Sequence, residues 1–406
     1  MKCGLLGKSL KHSYSPQIHN MIADYTYDLF QMESEDLPKF FRESDFNCIN
    51  VTIPYKKAVL PYCNHLSDSA KALGSVNTIL RLDDGTFYGH NTDYFGFMYL
   101  IKHANVVVSN KKVLVLGSGG ASVTVVAVLK ELGANVVVIS RTGKNNYANI
   151  SNHKDASLII NTTPVGMYPD NGSTPVDLSQ FPQLECVVDL IYNPARTKLL
   201  LDAEKMGIQA ENGLRMLVAQ AVESAKLFLK KDIPDDKIEE IHQKLASQMK
   251  NVILIGMPGC GKSTVGKLLA DQLEREFIDA DDYLSRYCGV SIPDIIERNG
   301  ETSFRKMESE VLRELGKGSG LVIATGGGCV TTPCNYEYLH QNGLIIWLQR
   351  DLTLLPTDGR PISQKTSINK IYQNRAHLYQ DFADKIIENN RCPEETVYKI
   401  TQEVLR

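Results

Sequence analysis

The amino-acid sequence predicts an α/β protein with more than one parallel sheet. Two apolar runs, residues 112–116 and 252–255, are each followed by a glycine-rich loop and then by a helical pattern. This order of strand, loop and helix is typical of nucleotide-binding α/β units. The chain has 406 residues, a length that suggests two or three domains.

Composition and charge exclude several classes of protein. Charged residues make up 22% of the chain and hydrophobic residues 43%, as in ordinary globular proteins. The net charge of −3 gives no electrostatic reason to bind nucleic acid or an anionic membrane. The sequence shows no apolar run that would span a bilayer and no signal peptide. We therefore expect small-molecule ligands, with no nucleic-acid or membrane partner.

The cysteines point to a reducing compartment. All nine are scattered, and no two form a Cys-x-x-Cys pair. An odd number without paired spacing predicts neither a disulfide framework nor a zinc site. We expect a cytoplasmic protein, and the sequence leaves its oligomeric state open.

In the first 104 residues, polar side chains follow the ends of predicted strands. Lys56 comes just after a β-rich run that Pro54 stops, and Asn77 and Asp93 stand at two further strand ends. A lysine, an asparagine and an aspartate so placed could share a pocket and move a proton, although spacing alone does not show that they meet. Lys56 alone would be a solvated surface lysine, and Ser15 alone an N-cap of the helix predicted over 16–23.

These segments resemble the substrate domain of shikimate dehydrogenases. The family motifs Ser-x-Ser-Pro-x-x-His-Asn, Asn-Val-Thr-x-Pro-x-Lys, Val-Asn-Thr and Asn-Thr-Asp are matched at residues 13–20, 50–56, 76–78 and 91–93. One departure is Ser9, where the family usually has proline. The resemblance implies that Lys56 and Asp93 form an acid/base pair and that Asp68 lies near the cofactor. The substrate ligands that it implies are Ser13 and Ser15 for the carboxylate, and Thr52, Asn77 and Asp93 for the hydroxyl groups.

Residues 112–139 read as a βαβ unit with a dinucleotide-binding loop. The end of its second strand distinguishes the two nicotinamide cofactors. An NAD enzyme usually has Asp or Glu there, whereas Arg accommodates the 2′-phosphate of NADP. This chain has Arg141 and Lys144 and no acid, which favours NADP. The alternative is that both cations are solvated residues of a turn.

The same region also resembles shikimate dehydrogenases, in its Gly-x-Gly-Gly-Ala loop, an Arg-Thr-x-Lys stretch and motifs at 161–167, 189–194 and 212–220. The cofactor-binding residues implied by the resemblance are Gly117, Ser118, Gly119, Gly120, Ala121, Ser140, Arg141, Thr142 and Lys144, with Leu190 and Gly213 at the nicotinamide end. Tyr192 and Gln220 are implied to touch the substrate. Without the resemblance they would be a core tyrosine and a polar residue on an amphipathic helix.

The second strand of this βαβ unit and the strand that follows it are unusually close in the sequence. Only residues 143–156 separate Thr142 from the next apolar strand, where the family usually fits a helix and another short strand. We therefore predict a trimmed sheet, with an effect on cofactor affinity. Helices predicted over 214–228 and 235–248 should return to the first domain. The predicted domains are 1–104 plus 209–249 for substrate, 105–208 as an NADP-binding Rossmann domain, and 250–406 as a P-loop domain.

Residues 256–264 form a phosphate-binding P-loop between a predicted strand and helix. Lys262 can reach the β- and γ-phosphates, and the Ser263 hydroxyl can bind Mg²⁺. Asp279 and Asp281, after the next strand, are candidates for a Mg²⁺ ligand and a base. The alternative is helix capping by Asp281 or its neighbour Asp282.

Residues 250–406 resemble shikimate kinases, through the P-loop and the motifs Asp-x-Asp, Phe-Arg-x-x-Glu, Gly-Gly-Gly, Arg-Pro and Arg-x-x-Leu-Tyr. The resemblance implies that Asp279 and Ser263 hold Mg²⁺ and that Asp281 binds and orients the accepting hydroxyl, as its base. The remaining residues implied are Gly259, Cys260, Gly261, Lys262 and Thr264 for ATP, Arg305, Gly327 and Arg375 for the substrate carboxylate, Arg360 on a lid, and Arg391 against adenine. The lid segment 352–359 lacks the cations usual in the family, which predicts slower phosphoryl transfer.

Together the two resemblances imply a bifunctional enzyme of aromatic amino-acid biosynthesis. Its first half would reduce 3-dehydroshikimate to shikimate with NADPH, and its second would form shikimate 3-phosphate with ATP and Mg²⁺. One alternative makes the second half a nucleotide-binding regulatory module with little turnover. Another assigns quinate and NAD to the first half. A general nucleotide kinase would leave the first 250 residues unexplained.

Overall fold

The computed structural model describes residues 1–10, 13–355 and 368–404. The chain divides into two compact units. The first comprises Met1–Gly166, Gly172–Tyr192 and Asp202–Leu245, and the second comprises Met167–Asn171, Asn193–Leu201 and Ala246–Arg406. Within the described residues, no helix combines the length and the apolar character that crossing a bilayer requires. All nine cysteines are free.

A mixed six-stranded sheet opens the first unit. Its strands are β1 (Lys2–Gly7), β2 (Thr26–Gln31), β3 (Cys48–Val51), β4 (His65–Leu66), β5 (Thr78–Arg81) and β6 (Phe87–His90). The helices that accompany them are α1 (Ser15–Ile22), α2 (Leu37–Glu43), α3 (Asp68–Leu73) and α4 (Asp93–His103). The order is β2-β1-β3-β5-β6-β4, with β5 antiparallel to both β3 and β6. The ends of β1, β3 and β6 and the start of β5 therefore meet at one edge.

The second sheet of this unit is parallel throughout. Its strands are β7 (Lys112–Leu116), β8 (Asn135–Ile139), β9 (Leu158–Asn161), β10 (Cys186–Asp189) and β11 (Gln209–Glu211), in the order β11-β10-β9-β7-β8. Its helices are α5 (Gly120–Glu131) and α6 (Lys198–Lys205). Between β8 and β9 the chain forms only the 3₁₀ helix Tyr147–His153 and one isolated bridge. The trimmed sheet expected from the short segment 143–156 is confirmed.

Helix α7 (Leu214–Leu229) brings the chain back to the first sheet, and α8 (Asp236–Met249) follows it. Helix α7 packs mainly on α4 and also on α1, as the sequence predicts. The approach of α7 to α4 is close at Gly96, where a Cβ would lie 2.8 Å from the Met216 carbonyl oxygen and 3.0 Å from the Gln220 Cβ. This contact sets the distance between the helix that begins with Asp93 and the helix that carries Gln220.

The second unit contains a parallel five-stranded sheet. Its strands are β12 (Asn251–Ile255), β13 (Phe277–Asp279), β14 (Val322–Ala324), β15 (Gly343–Gln349) and β16 (Lys385–Glu388), in the order β13-β14-β12-β15-β16. The helices are α9 (Lys262–Leu273), α10 (Ala280–Cys288), α11 (Ile292–Lys317), α12 (Cys334–His340), α13 (Ile368–Phe382) and α14 (Pro393–Val404). Strands β13 and β14 lie on one side of the central β12, and the later strands β15 and β16 lie on the other. The loop after β12 thus lies at the switch point where α/β sheets bind ligands.

We predict that Gly96→Ala destabilises the first unit, because the added methyl group would press α4 away from α7. Overpacking of this kind typically costs about 1–3 kcal/mol. The midpoint of that unit's unfolding transition should fall by several degrees, which calorimetry without ligands measures. Gly120→Ala is the matched control, because space around Gly120 is open. Equal midpoints for the two variants would contradict the prediction.

Candidate active sites

The first candidate site lies at the sheet edge where β3 and β6 end. Lys56 follows β3, and Asp93 is the first residue of α4, shortly after β6. The Lys56 Nζ lies 2.6 Å from the Asp93 Oδ2, and both side chains are largely buried. The fold therefore brings together the two residues proposed from the sequence as an acid/base pair, and Lys56 is not a solvated surface lysine.

Asn77 holds Asp93 in place. Its Nδ2 donates to the Asp93 Oδ1 at 3.0 Å and contacts the Thr92 Oγ1 at 3.0 Å, while its Oδ1 accepts from the Thr92 N–H at 2.7 Å. The Gln220 Oε1 from α7 lies 3.5 Å from the Asn77 Nδ2. Gln220 thus belongs to the same cluster as Asn77 and Asp93. Asn77 therefore contacts two other expected substrate ligands, Asp93 and Gln220.

A buried serine behind this cluster has no counterpart in the sequence predictions. The Ser224 Oγ lies 2.8 Å from the Asn50 Nδ2, 3.1 Å from the Thr78 Oγ1 and 3.0 Å from the Thr92 Oγ1, and it donates to the Gln220 carbonyl oxygen. Ser224 is completely buried. It therefore connects α7 to β3, to β5 and to the residue before Asp93.

The remaining expected substrate ligands lie around the same edge of the sheet. Ser15 is the first residue of α1, and no side chain among the described residues caps that helix, so the capping alternative for Ser15 is wrong. The Ser13 Oγ accepts from the Ser15 N–H at 3.3 Å. Thr52 follows β3 directly, and the Tyr192 ring packs edge-on against Tyr14. Within the described residues, no hydrogen bond joins these expected ligands to Lys56 or Asp93.

The loop after β7 has the geometry of a phosphate-binding site. Gly117 has a positive φ of 104°, and a Cβ there would lie 2.8 Å from the Thr162 Oγ1. Helix α5 starts at Gly120 without a side-chain cap, and space is open beside Gly119 and Gly120. The free N–H groups of this helix end can therefore face an anion. The cofactor-loop residues Ser118 and Ala121 lie in the same stretch.

The end of β8 fits a cofactor with an extra phosphate. Arg141, Thr142 and Lys144 lie there, and the Ser140 Oγ accepts from the Gly143 N–H at 2.9 Å. No carboxylate occupies residues 140–144. At the other end of the expected cofactor site, a Cβ on Gly213 would lie only 2.0 Å from the Leu190 carbonyl oxygen. Leu190 and Gly213 are therefore in close contact.

Asp68 is not joined to this site. It opens α3 fully exposed, and its partner is Lys71, with 3.7 Å between the Asp68 Oδ1 and the Lys71 Nζ. Its expected place near the cofactor has no contact to support it within the described residues.

The second candidate site is a cavity of about 790 Å³ beside the P-loop. Gly259 and Gly261 have positive φ angles of 87° and 97°, which glycine adopts readily. The Lys262 Nζ donates to the carbonyl oxygens of Gly256 and Met257 at 3.0 and 3.1 Å. The lining includes Gly259, Gly261, Lys262, Ser263, Thr264, Asp279, Asp281, Arg305, Gly327 and Arg375. Cys260 is buried beneath the loop.

The two expected Mg²⁺ ligands meet at the wall of this cavity. The Ser263 Oγ donates to the Asp279 Oδ2 at 2.6 Å. The other oxygen of Asp279 accepts from the N–H groups of Asp281 and Asp282 and so caps α10. The capping alternative proposed for Asp281 or Asp282 is therefore wrong, because Asp279 is the cap. A hydroxyl and a carboxylate so close are suitable Mg²⁺ ligands.

Asp281 faces the cavity in an environment that resists ionisation. Burial, with the nearby carboxylates of Glu308 and Asp279, raises the pKa of Asp281 to about 6. Burial also raises the pKa of Glu308, whose Oε1 has no hydrogen-bond partner within the described residues. Glu308 closes the Phe-Arg-x-x-Glu motif and lines the cavity, but the sequence predictions assign it no role.

Two arginines form another part of the cavity wall, beside Glu308 and Gly327. The Arg305 Nη1 lies 2.8 Å from the Glu308 Oε2, and the Arg375 Nη1 donates to the Gly327 carbonyl oxygen at 3.1 Å. The Tyr379 hydroxyl donates to the same carbonyl. The three residues expected to clamp a carboxylate therefore line one part of the cavity, where two guanidinium groups suit a bidentate anion.

Of the two further arginines expected at this site, one lies outside the described residues and the other does not line the cavity. Arg360, with the rest of 356–367, lies outside the described residues. Arg391 is mostly exposed, with its Nη1 3.6 Å from the Glu395 Oε2, and it is not among the lining residues. In contrast, Arg350 lines the cavity although the sequence predictions omit it. The only sequence signal for Arg350 is its position directly after an apolar strand.

Comparison with known proteins connects these geometries to two families. Residues 5–79 match the shikimate dehydrogenase substrate binding domain, and residues 258–405 match shikimate kinase. Shikimate dehydrogenase (NADP(+)) of Clostridium beijerinckii is 36% identical over 246 residues, which cover 55% of this chain and 90% of that protein. The chain belongs to the shikimate dehydrogenase family.

Solved structures agree with this family assignment. Shikimate dehydrogenase 1 from Peptoclostridium difficile is 34% identical with a TM-score of 0.57, over 60% of this chain and 98% of that chain. Shikimate 5-dehydrogenase from Thermus thermophilus, solved in complex with NADP(H) and shikimate, is 29% identical with a TM-score of 0.55, over 60% of this chain and 99% of that chain.

The shikimate kinase match falls in the second unit, downstream of the dehydrogenase. The chain is therefore a bifunctional enzyme of the shikimate pathway, with one dehydrogenase and one kinase domain. Its cofactors are NADP(H), ATP and Mg²⁺. The glycine loop and the cations after β8 fit NADP(H), and the P-loop with Ser263 and Asp279 fits MgATP.

We predict that Ser224→Ala lowers dehydrogenase turnover about tenfold, because buried partners of a removed hydroxyl are left unsatisfied at roughly 1–3 kcal/mol. Asn50, Thr78 and Thr92 would lose a shared contact, and Asn77 would hold Asp93 less firmly. Steady-state kinetics of both activities measures the effect. Kinase turnover in the same chain is the control and should not change. An unaltered dehydrogenase kcat would show that Ser224 is only structural.

Proposed function

We propose that the dehydrogenase domain reduces 3-dehydroshikimate to shikimate and that the kinase domain converts shikimate to shikimate 3-phosphate. The ion pair of Lys56 and Asp93, 2.6 Å apart and anchored by Asn77, is the observation that carries the first reaction. The meeting of the P-loop, the Ser263–Asp279 contact and the arginine wall in one cavity supports the second. We assign residues 1–104 with 209–249, 105–208 and 250–406 to the substrate, NADP and kinase domains.

In the first reaction, bound NADPH supplies the hydride for the ketone carbon. The Lys56 ammonium group donates a proton to the ketone oxygen as negative charge develops there. Asp93 keeps the Lys56 Nζ oriented through the 2.6 Å contact and accepts from a substrate hydroxyl. Because Asn77 donates to the other Asp93 oxygen, rotation of the carboxylate away from the lysine would also break that hydrogen bond. The proton therefore comes from a group whose direction is set before the substrate arrives.

The other substrate contacts follow from charge and position. The hydroxyl groups of Ser13 and Ser15 donate hydrogen bonds to the substrate carboxylate, which also faces the N-terminus of α1. Thr52 and Asn77 bind ring hydroxyls, and Gln220 reaches the same cluster from α7. Burial raises the pKa of Tyr192, so its hydroxyl stays protonated and can donate to the substrate. Leu190 and Gly213 border the nicotinamide.

In the second reaction, MgATP supplies the transferred phosphoryl group. Ser263 and Asp279 hold the metal, and the P-loop N–H groups and Lys262 hold the phosphates. Asp281 accepts the proton of the attacking hydroxyl. Arg305 and Arg375 bind the shikimate carboxylate beside Gly327. We assign Arg360 to the lid and Arg391 to the adenine from their sequence positions.

A coupled assay on the full-length protein tests both reactions. With 3-dehydroshikimate, NADPH and MgATP, we expect NADPH loss and shikimate 3-phosphate formation together. Lys56→Met should reduce NADPH loss roughly 10²–10⁴-fold, as removal of an acid/base group does, while phosphorylation of added shikimate stays at the wild-type rate. Lys57→Met is the matched control, because Lys57 is exposed and should leave both rates unchanged.

A second candidate function for the kinase domain is nucleotide-dependent regulation with little turnover. It is favoured by residues 352–355, which begin the lid segment without a cation. The coupled assay separates the two functions. NADPH loss without ADP release from shikimate and MgATP, despite tight ATP binding, would support the regulatory module and reject the kinase reaction.

We predict that Arg141→Ala weakens NADPH binding by roughly 10–100-fold and leaves NADH binding unchanged. A hydrogen bond to a charged group contributes about 1.5–3 kcal/mol, and only NADPH carries the 2′-phosphate. Fluorescence titration of both cofactors measures the difference. Equal losses for NADPH and NADH would reject the NADP assignment and favour the quinate and NAD alternative. Arg42→Ala, on the exposed part of α2, is the control.

A further inference from the structure

An arginine stands beside the P-loop where the strand next to β12 ends. Arg350 directly follows β15, which pairs with β12 along its length. Its side chain lines the same cavity as Lys262 and Ser263. A Cβ built on Gly261 would lie 3.6 Å from the Arg350 Nη1. The guanidinium group is therefore next to the start of α9, where the P-loop presents its N–H groups.

The Arg350 guanidinium has no acceptor of its own within the described residues. Its Nε is buried without a hydrogen-bond partner. The adjacent Asp351 carboxylate accepts instead from the Thr353 N–H and hydroxyl. A buried donor without an acceptor is costly, and an arginine facing a cavity can satisfy its donors with an anionic ligand.

The position of Arg350 distinguishes it from the two other arginines that line the cavity, Arg305 and Arg375. Arg305 is close to Gly328, where a Cβ would lie 2.2 Å from its Nη2, and Arg375 binds the Gly327 carbonyl. Both stand beside the glycine loop that follows β14. Arg350 is instead beside the phosphate loop that follows β12. The cavity thus has a cation on its nucleotide side in addition to Lys262.

We propose that Arg350 binds the phosphate chain of the nucleotide and supplies part of the positive charge that residues 352–355 lack. The proposal rests on the proposed phosphoryl-transfer function and adds a phosphate ligand from the end of β15. A planar guanidinium with several donors matches phosphate oxygens better than a single ammonium does. It would stabilise the β-phosphate region that the P-loop N–H groups and Lys262 also hold.

Calorimetric titration of the full-length protein with MgADP and with AMP tests this role. Arg350→Met should weaken MgADP binding about tenfold or more, because a charge-assisted hydrogen bond to phosphate is lost. AMP, which lacks the β-phosphate, should lose much less affinity. In kinetics, the KM for ATP should rise while the KM for shikimate stays constant. Arg350→Lys, which keeps the charge without the fork, should lie between Arg350→Met and the wild type.

Controls keep the outcomes distinct. Arg313→Met removes an exposed arginine of α11 and should leave MgADP affinity unchanged. Calorimetric unfolding of the second unit reports whether each variant is folded, and Arg350→Gln replaces Arg350→Met if the latter is not. An unchanged MgADP affinity, or equal losses for MgADP and AMP, would overturn the proposal. If the wild-type protein binds MgADP but does not phosphorylate shikimate, the kinase assignment fails while the binding comparison still decides the role of Arg350.

Discussion

Parallel strands place their carboxyl ends at one edge of a sheet, and both candidate sites depend on this constraint. In the first unit the ends of β3 and β6 bring Lys56 and Asp93 within 2.6 Å, although 37 positions separate them in the sequence. In the second unit the ends of β12, β13 and β15 bring Lys262, Asp279 and Arg350 to one cavity. The sheets provide the positions, and the residue after each strand provides the chemistry.

The two sites satisfy their polar groups in different ways. Around Ser224, buried hydroxyl and amide groups bond to one another, so the proposed acid/base pair of Lys56 and Asp93 is held in place before ligands bind. In the kinase cavity, the Glu308 Oε1 and the Arg350 Nε have no partner within the described residues. That site is complete only with its ligands, so part of its binding free energy comes from groups that lack partners without them. The dehydrogenase site is closer to its working geometry.

Much of the fold follows from local sequence. Strands β7 and β12 are continuous apolar runs, and the glycines after each mark a loop that approaches a phosphate. The Lys56–Asp93 pairing could be predicted only from the family motifs, because the spacing of these residues in the sequence does not show that β3 pairs with β5. Ser224 was beyond prediction, since its partner Asn50 lies 174 positions away and a serine in a helix is unremarkable in a sequence. Asp279 caps α10, whereas the sequence suggested Asp281 or Asp282 as the alternative cap. The sequence could not decide which of these neighbouring aspartates accepts the capping hydrogen bonds.

Helix α11 contains a break at Gly300, where φ is 79° and ψ is 162°, a backbone region that only glycine occupies readily. Because of this break, one continuous segment supplies two different walls of the kinase cavity. Ile292 and Ile296 before the break are apolar, whereas Arg305 and Glu308 after it are charged. Only a short stretch of chain connects these two walls, so little loop-closure entropy is lost when folding brings them together. This part of the cavity wall is therefore formed by residues that are close together in the sequence. The P-loop side, in contrast, is formed by strands that are distant in the sequence.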